Sequence, residues 1–424
     1  MMDIRLILRA IFRNKLRFGL TAAQIAATLA IVTNCVALIQ DARRRMRHPT
    51  PFDEDNLIQI RLPCQDTALK DRVRRSLWVQ EARERLHAIP GVRSVASTHF
   101  SPYWPTAWAW EKAAGSDAAM IPVPMSITDE RLPDVLGMEL DEGRWFSREE
   151  VERAEALWNS FSTKSRERAP NGKMREPLVT DIVITRALGR QLFGDGPLIG
   201  KMLEDEDGDM GRIVGIISRY YHHDLIVNTI HSEAGIFYPG NQHSYGDGAN
   251  FVVRAEAGHA DVVARRIEEK LSEAYDLPER AVWLVSELRD IYDGRQRMTA
   301  ALMFFLVFLL LVVASIGIAG LTSFSITART RQIGIRRALG ATTNDILRYF
   351  LTESSLVTML GLVIGSLLAV LLNMAVLRIY DSAKLSAPII AGCVLLLWFV
   401  ALGAALPPAL RASRISPAIA TRNV

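Results

Sequence analysis

The 424-residue sequence has only three cysteines, Cys35, Cys64 and Cys393. Two of them fall inside long apolar runs, so Cys64 is the only cysteine in the more polar middle of the chain. A disulfide framework in that middle region is excluded, because each disulfide needs a second cysteine. The region must therefore be stabilised by a hydrophobic core.

A complete nucleotide-binding loop is also missing. Such a loop reads G-x-x-x-x-G-K-[ST], and its hydroxyl residue holds Mg²⁺. The nearest match is GDGPLIGKM, residues 194–202, where Met202 replaces the hydroxyl residue and Asp195 stands in place of the first glycine. We therefore predict that this chain neither binds nor hydrolyses ATP by itself, and that it is not an enzyme.

Metal and nucleophile motifs are equally scarce. EDEDGD, residues 204–209, lacks the glycine and the final glutamate that a calcium loop needs at fixed positions. We interpret it as the solvated tip of a hairpin. The adjacent His222, His223 and Asp224 have no further ligand at a metal-site spacing nearby, and no G-x-S-x-G elbow is present. No catalytic, cofactor-binding or metal-binding residue is assigned.

What the sequence does contain is four long apolar runs. A bilayer core needs about 20 apolar residues in a helix, and four windows meet this requirement. They predict membrane helices over residues 18–40, 298–327, 354–377 and 386–410. A signal peptide is the alternative for the first run. Its 23 uncharged residues exceed a typical signal core, and no clear cleavage site follows, which favours an uncleaved anchor.

Basic residues cluster at particular ends of these runs. Several precede the first run, several occupy the 328–353 loop and several follow the last run, whereas the 378–385 loop has few. Lysine and arginine favour the cytoplasmic side. We therefore predict a multi-pass protein of the bacterial inner membrane, with residues 1–17, 328–353 and 411–424 in the cytoplasm. Four arginines within residues 43–47 oppose this orientation, but long translocated domains partly escape the charge rule. The net charge of +4 then needs no nucleic acid partner.

Residues 41–297 are predicted to form an α/β domain outside the cytoplasm, inserted between the first and second membrane helices. Alternating residues in NLIQIRL, GRIVGIIS and FVVRA predict strands, and VTDIVITRALGRQLFG predicts a strand that runs into a helix. In residues 259–275, Val262, Val263, Ile267 and Leu271 are predicted to line the buried face of an amphipathic helix.

Three tryptophans, Trp104, Trp108 and Trp110, stand close together in YWPTAWAW, residues 103–110. Packing inside the outer domain is the simpler interpretation. Contact with an apolar substrate, a partner protein or the lipid interface is the alternative, because tryptophan combines a large apolar surface with a polar N–H group.

RQIGIRRALGATTND, residues 331–345, carries three arginines between the second and third apolar runs. A topology signal needs only scattered arginines, yet here Ile333, Ile335 and Leu339 alternate with the charges. We predict that the second membrane helix continues into this segment and stops near Gly340, a good residue for a helix C-terminus. A new helix then starts at a threonine or asparagine cap, with Asp345 in its first turn.

ARTRQIGIRRALGATTNDILRYFLTES is similar to the cytoplasmic connection of MacB/FtsX-type ABC permeases, which often reads R-x-x-E-I-G-x-R-R-A-L-G-A. PDVLGMELDEGRWFS and LGRQLFGDGPLIGKML resemble that family's periplasmic core, and PPALRASRISPAIATR resembles its tail. The resemblance covers nearly the whole chain. Gln332 departs from the pattern, since the family usually has glutamate there. The family's ATPase domain is not found in the sequence, so the ATPase is expected to be a separate chain.

The resemblance implies that the loop is a coupling helix which docks on an ABC ATPase, so that ATP-Mg is used only by the partner. The residues expected to couple the two are Arg331, Gln332, Gly334, Arg336, Arg337, Gly340, Ala341 and Asp345. Arg336 and Arg337 are the expected polar anchors.

The resulting prediction is the permease subunit of a MacB-type export system, which uses ATP-driven motion to expel peptide-like, antibiotic or other amphipathic cargo. Its expected partners are the ATPase, a second permease chain, identical or related, a periplasmic adaptor and an outer-membrane channel. Two alternatives share the topology: a lipoprotein-releasing permease, and an FtsX-like regulator of a cell-wall hydrolase that transports nothing.

Overall fold

The computed structural model describes residues 15–47, 50–63, 72–100, 103, 107–160, 178–218, 220, 233–241, 248–277, 280–380 and 385–414. The chain divides into two compact units. One comprises Met1–Arg47 and Arg295–Val424, which we call the membrane unit, and the other is His48–Gly294, which we call the outer unit.

The described helices are α1 (Lys15–Arg47), α2 (Arg72–His87), α3 (Leu132–Leu136), α4 (Arg148–Ser160), α5 (Arg186–Phe193), α6 (Ala260–Ser272), α7 (Val285–Ala328), α8 (Thr330–Ala338), α9 (Thr343–Tyr380) and α10 (Ala387–Ser413). The strands are β1 (Leu57–Pro63), β2 (Val92–Ser97), β3 (Ala107–Ala113), β4 (Ile121–Thr128), β5 (Leu140–Gly143), β6 (Val179–Thr185), β7 (Met202–Asp205), β8 (Met210–Ile217), β9 (Ile236–Pro239), β10 (Gly248–Ala255) and β11 (Val282–Leu284).

The described strands of the outer unit form two sheets. The smaller has the strand order β11-β1-β10-β2 and is antiparallel. Helices α2 and α6 cover one of its faces, where Ile58, Val79 and Ile267 belong to one buried cluster. This sheet accounts for the alternation that predicted β1 and β10, because only one face of each strand packs on the helices.

The larger sheet has the order β5-β8-β6-β9-β4-β3-β7. Strand β7 pairs with both β3 and β8, so the pairing closes into a ring. A buried ion pair joins the two sheets where β4 ends: Arg83 Nη1 lies 2.8 Å from Asp129 Oδ2, which also accepts a hydrogen bond from the Ser97 amide at 2.8 Å. Burial raises the pKa of Asp129 to about 6, and the Arg83 guanidinium opposes this rise.

The predicted strand and helix over residues 179–194 are confirmed as β6 and α5. Thr185 ends the strand and caps the helix, because its Oγ1 accepts a hydrogen bond from the Leu188 amide. The predicted buried face of α6 was wrong at one residue. Val262 is exposed, and Ala260 takes its place beside Val263, Ile267 and Leu271. Residues 260, 263, 267 and 271 follow the helical repeat, whereas residue 262 points away from it.

Among the described residues, four helices, α1, α7, α9 and α10, are long and apolar enough to cross a membrane. Helices α1 and α9 pack closely through two glycines one helical turn apart. A Cβ atom on Gly361 would lie 2.8 Å from the Ala22 carbonyl oxygen, and one on Gly365 would lie 2.9 Å from Ala26 Cα. Small residues at this spacing let membrane helices approach each other closely.

Helix α7 is packed far less than α1. In the most apolar 18-residue stretch of α7, 17% is buried, whereas 56% of the corresponding stretch of α1 is buried. Gln24 on α1 donates a hydrogen bond to the Val313 carbonyl on α7 at 3.3 Å. The described elements thus give an α/β domain inserted between the first and second of four candidate membrane helices, as predicted.

Candidate functional site

The connection between α7 and α9 contains two changes of direction. The first is at Arg329, whose φ of −116° and ψ of 13° separate α7 from α8. The second is at Gly340, with φ of +97°. The sequence predicted the stop at Gly340. The predicted continuation of the second membrane helix as far as Gly340 was wrong, because α7 ends at Ala328 and Arg329 is not helical. Arginine is an ordinary helix former, so nothing local marks this break.

Helix α9 begins with a reciprocal cap. Thr342 Oγ1 accepts a hydrogen bond from the Asp345 amide, and Asp345 Oδ2 accepts one from the Thr342 amide at 3.0 Å. This is the arrangement of a capping box, with aspartate in place of glutamate. The predicted cap and the role of Asp345 in the first turn are therefore confirmed. Together with Gly340, the cap fixes the direction in which the chain enters α9.

One face of α8 is buried. Ile333 and Gly334 lie against an apolar cluster contributed by the ends of the surrounding helices. The buried members of that cluster are Ile326, Ile333, Ile346, Phe350, Ala409 and Ala412. Because α7, α8, α9 and α10 all contribute, the buried face of α8 is anchored to three membrane helices.

The opposite face of α8 is exposed and mixes cationic with apolar side chains. Arg331, Gln332 and Arg336 are exposed there. Ile335 is 49% exposed and Leu339 is 83% exposed, one helical turn apart. Two large apolar side chains on one exposed face, flanked by guanidinium groups, are typical of a helix that enters a groove of a partner protein.

The two arginines that sequence reasoning treated alike have different surroundings. Arg336 is exposed, and its guanidinium lies 5.1 Å from the centre of the Tyr349 ring. Arg337 is half-buried, and its Nη1 donates a hydrogen bond to Thr343 Oγ1 at 3.3 Å. Arg337 therefore braces the turn between α8 and α9, whereas Arg336 is free to meet a partner. Ala341 is half-buried in the same turn.

A cleft of about 580 Å³ lies beside this turn. Its rim combines the two exposed arginines Arg336 and Arg348 with Asp345, and Tyr349 and Ile346 supply apolar surface. Gln332 also lines the cleft. The family's usual glutamate would place a carboxylate here, so this chain presents a more basic cleft than the pattern predicts.

Sequence reasoning missed the ion pair between Arg329 and Glu353. Arg329 Nη1 lies 2.9 Å from Glu353 Oε1 and 3.2 Å from Oε2. Both residues stand in the quoted ARTRQIGIRRALGATTNDILRYFLTES segment, but 24 residues separate them, so no local pattern pairs them.

The tryptophan segment is partly described. Trp104 lies outside the described residues. Trp108 and Trp110 occupy one face of β3, opposite Pro124 and Pro122 on β4. Trp108 is half-buried and Trp110 is 46% exposed, so the pair forms an apolar patch on the surface of the outer unit.

The other face of β3 carries Glu111, which is buried. Tyr238 Oη donates a hydrogen bond to Glu111 Oε1 at 2.7 Å. Burial raises the pKa of Glu111 to about 7, and the Tyr238 hydrogen bond opposes this rise. The pair lies within the closed sheet and links β3 to β9, which is a structural arrangement.

EDEDGD forms a hairpin between β7 and β8, as predicted. The amides of Asp207 and Asp209 donate hydrogen bonds to Asp205 Oδ1 at 2.9 and 2.8 Å, so this carboxylate closes the turn. Within the described ranges, histidines, cysteines and carboxylates form no group of three that could hold a metal ion. His222, His223 and Asp224 lie outside those ranges, as does Cys64.

Two family models account for most of the chain. The MacB-like periplasmic core domain matches residues 18–270, and the FtsX-like permease C-terminal model matches residues 304–417. The chain therefore belongs to the MacB/FtsX family of ABC transporter permeases, as the resemblance indicated. Permeases of this family are membrane proteins that work with a partner ATPase using ATP-Mg, and are generally not enzymes themselves.

Among curated relatives, the macrolide export ATP-binding/permease protein MacB of Chromobacterium violaceum is 26% identical over 236 residues. That match covers 54% of this chain and 32% of the relative. The MacB 1/2 protein of Paracoccus denitrificans is 25% identical over 434 residues, covering 98% of this chain and 57% of the relative. This chain thus spans between about a third and just over half of these relatives.

Among solved structures, the periplasmic region of MacB from Actinobacillus actinomycetemcomitans is 13% identical. The match covers 56% of this chain and 92% of that one, with a TM-score of 0.36.

Proposed function

We propose that this chain is the permease subunit of a MacB-type export system, and that α8 is its docking element for a separate ABC ATPase. The exposed face of α8 is the observation that carries the proposal. Ile335 and Leu339 would enter an apolar groove of the ATPase, and Arg331 and Arg336 would pair with carboxylates at its rim. Arginine suits this role because its planar guanidinium binds carboxylates through two hydrogen bonds.

The orientation of the chain in the membrane is part of the same proposal. Both chain termini and the α8 segment would lie in the cytoplasm, where the ATPase and ATP are found. The domain boundaries predicted from the sequence, including an outer region of residues 41–297, remain part of this topology.

The cargo would be amphipathic. The MacB relatives are named for macrolide export, and a protein 32% identical over 174 residues in Pseudomonas syringae pv. tomato is named for pyoverdine export. Trp108 and Trp110 offer an apolar patch suited to such a molecule or to an adaptor protein. We propose that a second permease chain, a periplasmic adaptor and an outer-membrane channel complete the system.

The test is recovery of the ATPase with the full-length chain. A tagged chain purified from its native membranes should bring with it a subunit that hydrolyses ATP. Leu339→Asp should abolish this recovery, because burying a leucine contributes about 1.5–3 kcal/mol, or roughly a ten- to hundredfold change in affinity.

Leu77→Asp is the matched control. Leu77 lies on α2 of the outer unit and is 61% exposed, so the change places the same charge on an exposed helix outside the proposed dock. The ATPase should be recovered with this variant at the wild-type level. Equal recovery with Leu339→Asp and Leu77→Asp would show that α8 is not the docking element.

A further inference from the structure

Arg329 stands at the point where the chain changes direction between α7 and α8. Helix α7 ends at Ala328 and α8 begins at Thr330, so one residue separates a 44-residue helix from a 9-residue helix. Along the backbone, a displacement of α8 reaches α7 through this residue, and the packing of Ile333 with Ile326 is a second route. A single non-helical residue is a natural hinge unless its side chain is held.

The side chain of Arg329 is held by Glu353 on α9. One guanidinium nitrogen contacts both carboxylate oxygens, at 2.9 and 3.2 Å. The side chains of Arg329 and Glu353 are 15% and 5% exposed. A charged hydrogen bond with so little access to water is stronger and more directional than an exposed one. The pair therefore ties the α7–α8 junction to α9.

Close packing does not explain the position of Arg329. The residue borders the cleft of about 580 Å³ on one side. On the other side it borders a second cavity of about 50 Å³ between α1, α7 and α9. This cavity is also lined by Glu353 and by the hydroxyls of Thr322 and Ser354. With space on both sides, polar contacts rather than close packing set the direction of the Arg329 side chain, with Glu353 as its charged partner and Tyr349 as a second hydrogen-bond partner.

Helix α7 also makes few other contacts through which a displacement could pass to the neighbouring membrane helices. Only 17% of its most apolar window is buried, so its contacts along the membrane are sparse compared with those of α1. The tie at the α7–α8 junction therefore adds a polar contact to the apolar ones that Val307, Ile318 and Ile326 make.

We infer that Arg329 and Glu353 form a positioning pair that holds α8 at a fixed angle to α7 and α9, so that a displacement of α8 moves both membrane helices together. The inference rests on the proposed function, in which the ATPase displaces α8. Neither residue needs to touch the ATPase. Losing the pair should leave docking intact and should make the α7–α8 junction pivot.

The first test measures the angle directly, without an ATPase. Spin labels at Leu339→Cys and Ile316→Cys report the distance between the end of α8 and α7 in the full chain, in lipid nanodiscs, with the native cysteines replaced by alanine. Both label sites are exposed. We expect one narrow distance in the parent and a broad or divided distribution in Glu353→Gln, because the neutral amide no longer holds the guanidinium. The charge reversal Arg329→Glu with Glu353→Arg should restore the narrow distance.

The second test uses the complex with its co-purified ATPase. Glu353→Gln should retain ATPase recovery but reduce transport per ATP hydrolysed by roughly two- to thirtyfold, the usual range for residues that couple two sites. Arg411→Gln, which removes an exposed arginine from α10, is the control and should change neither readout. If Glu353→Gln does not reach the membrane, Arg329→Lys replaces it in the distance measurement. Lysine keeps the positive charge, so the distance distribution should broaden less than expected for Glu353→Gln.

An unchanged distance distribution in Glu353→Gln or Arg329→Lys would overturn the inference, and so would loss of folding without any rescue by the charge reversal. If no ATPase is recovered with the parent chain, the proposed function fails, but the distance measurement still decides whether the pair holds the junction.

Discussion

Replacing Gly340 by valine should weaken the binding of the ATPase without disturbing membrane insertion. The φ of Gly340 is +97°, and its amide donates a hydrogen bond to the Arg337 carbonyl at 3.1 Å, which closes the end of α8. A side chain in a left-handed conformation costs about 1–2 kcal/mol, and a β-branched residue is more strained still. Apart from its two chain neighbours, no residue has an atom within 4 Å of the position that a Cβ would occupy. The expected effect is therefore backbone strain alone, without a steric clash.

A strain of about 1.4 kcal/mol corresponds to a tenfold change in an equilibrium constant. If docking requires the present turn, the affinity for the ATPase should fall about tenfold in Gly340→Val, and less in Gly340→Ala. The assay is titration of the purified ATPase onto the full chain in nanodiscs. Gly392→Val is the matched control, because Gly392 also has no neighbour within 4 Å but lies in α10 without a positive φ. Wild-type affinity in Gly340→Val would refute the claim that the turn positions the docking face.

The other predictions concern packing, pH and topology. Gly361→Leu should block assembly of α1 with α9, because even a Cβ would lie 2.8 Å from the Ala22 carbonyl oxygen; wild-type protease resistance in lipid would contradict it. Glu111 has a folded-state pKa of about 7 against 4.5 when exposed, so its stabilising contribution is complete below pH 4.5 and is lost as the pH rises through 7. Glu111→Gln should therefore raise the free energy of unfolding above pH 7, by at most about 3 kcal/mol, and flatten the pH dependence of thermal unfolding; an unchanged slope would contradict it. A cysteine at position 340 should resist an impermeant thiol reagent applied to intact cells, and labelling there would reverse the proposed orientation.

The features that the sequence predicted well are those specified locally. Thr185 marks the change from strand to helix because its side chain caps the helix that follows. Gly340 and the Thr342–Asp345 cap mark the turn between α8 and α9 for the same reason. Each needs only residues that are close along the chain, and each follows from the chemistry of helix ends.

The features that were missed depend on residues far apart in sequence. The Arg329–Glu353 pair arises only when α9 folds back beside α7. The different surroundings of Arg336 and Arg337 depend on which face of α8 meets the apolar cluster. Val262 is exposed and its neighbour Val263 is buried, and two adjacent apolar residues do not show which of them faces the core. Tertiary packing decides all three.

The most direct test of the central claim is site-specific photo-crosslinking from position 339 in native membranes. A photoreactive amino acid replaces Leu339, and the captured protein is examined for labelling by a photoreactive ATP analogue. We predict an adduct with an ATP-binding subunit at position 339 and none when the same probe replaces Leu77. An adduct with an ATP-binding subunit at both positions, or at neither, would contradict docking through α8.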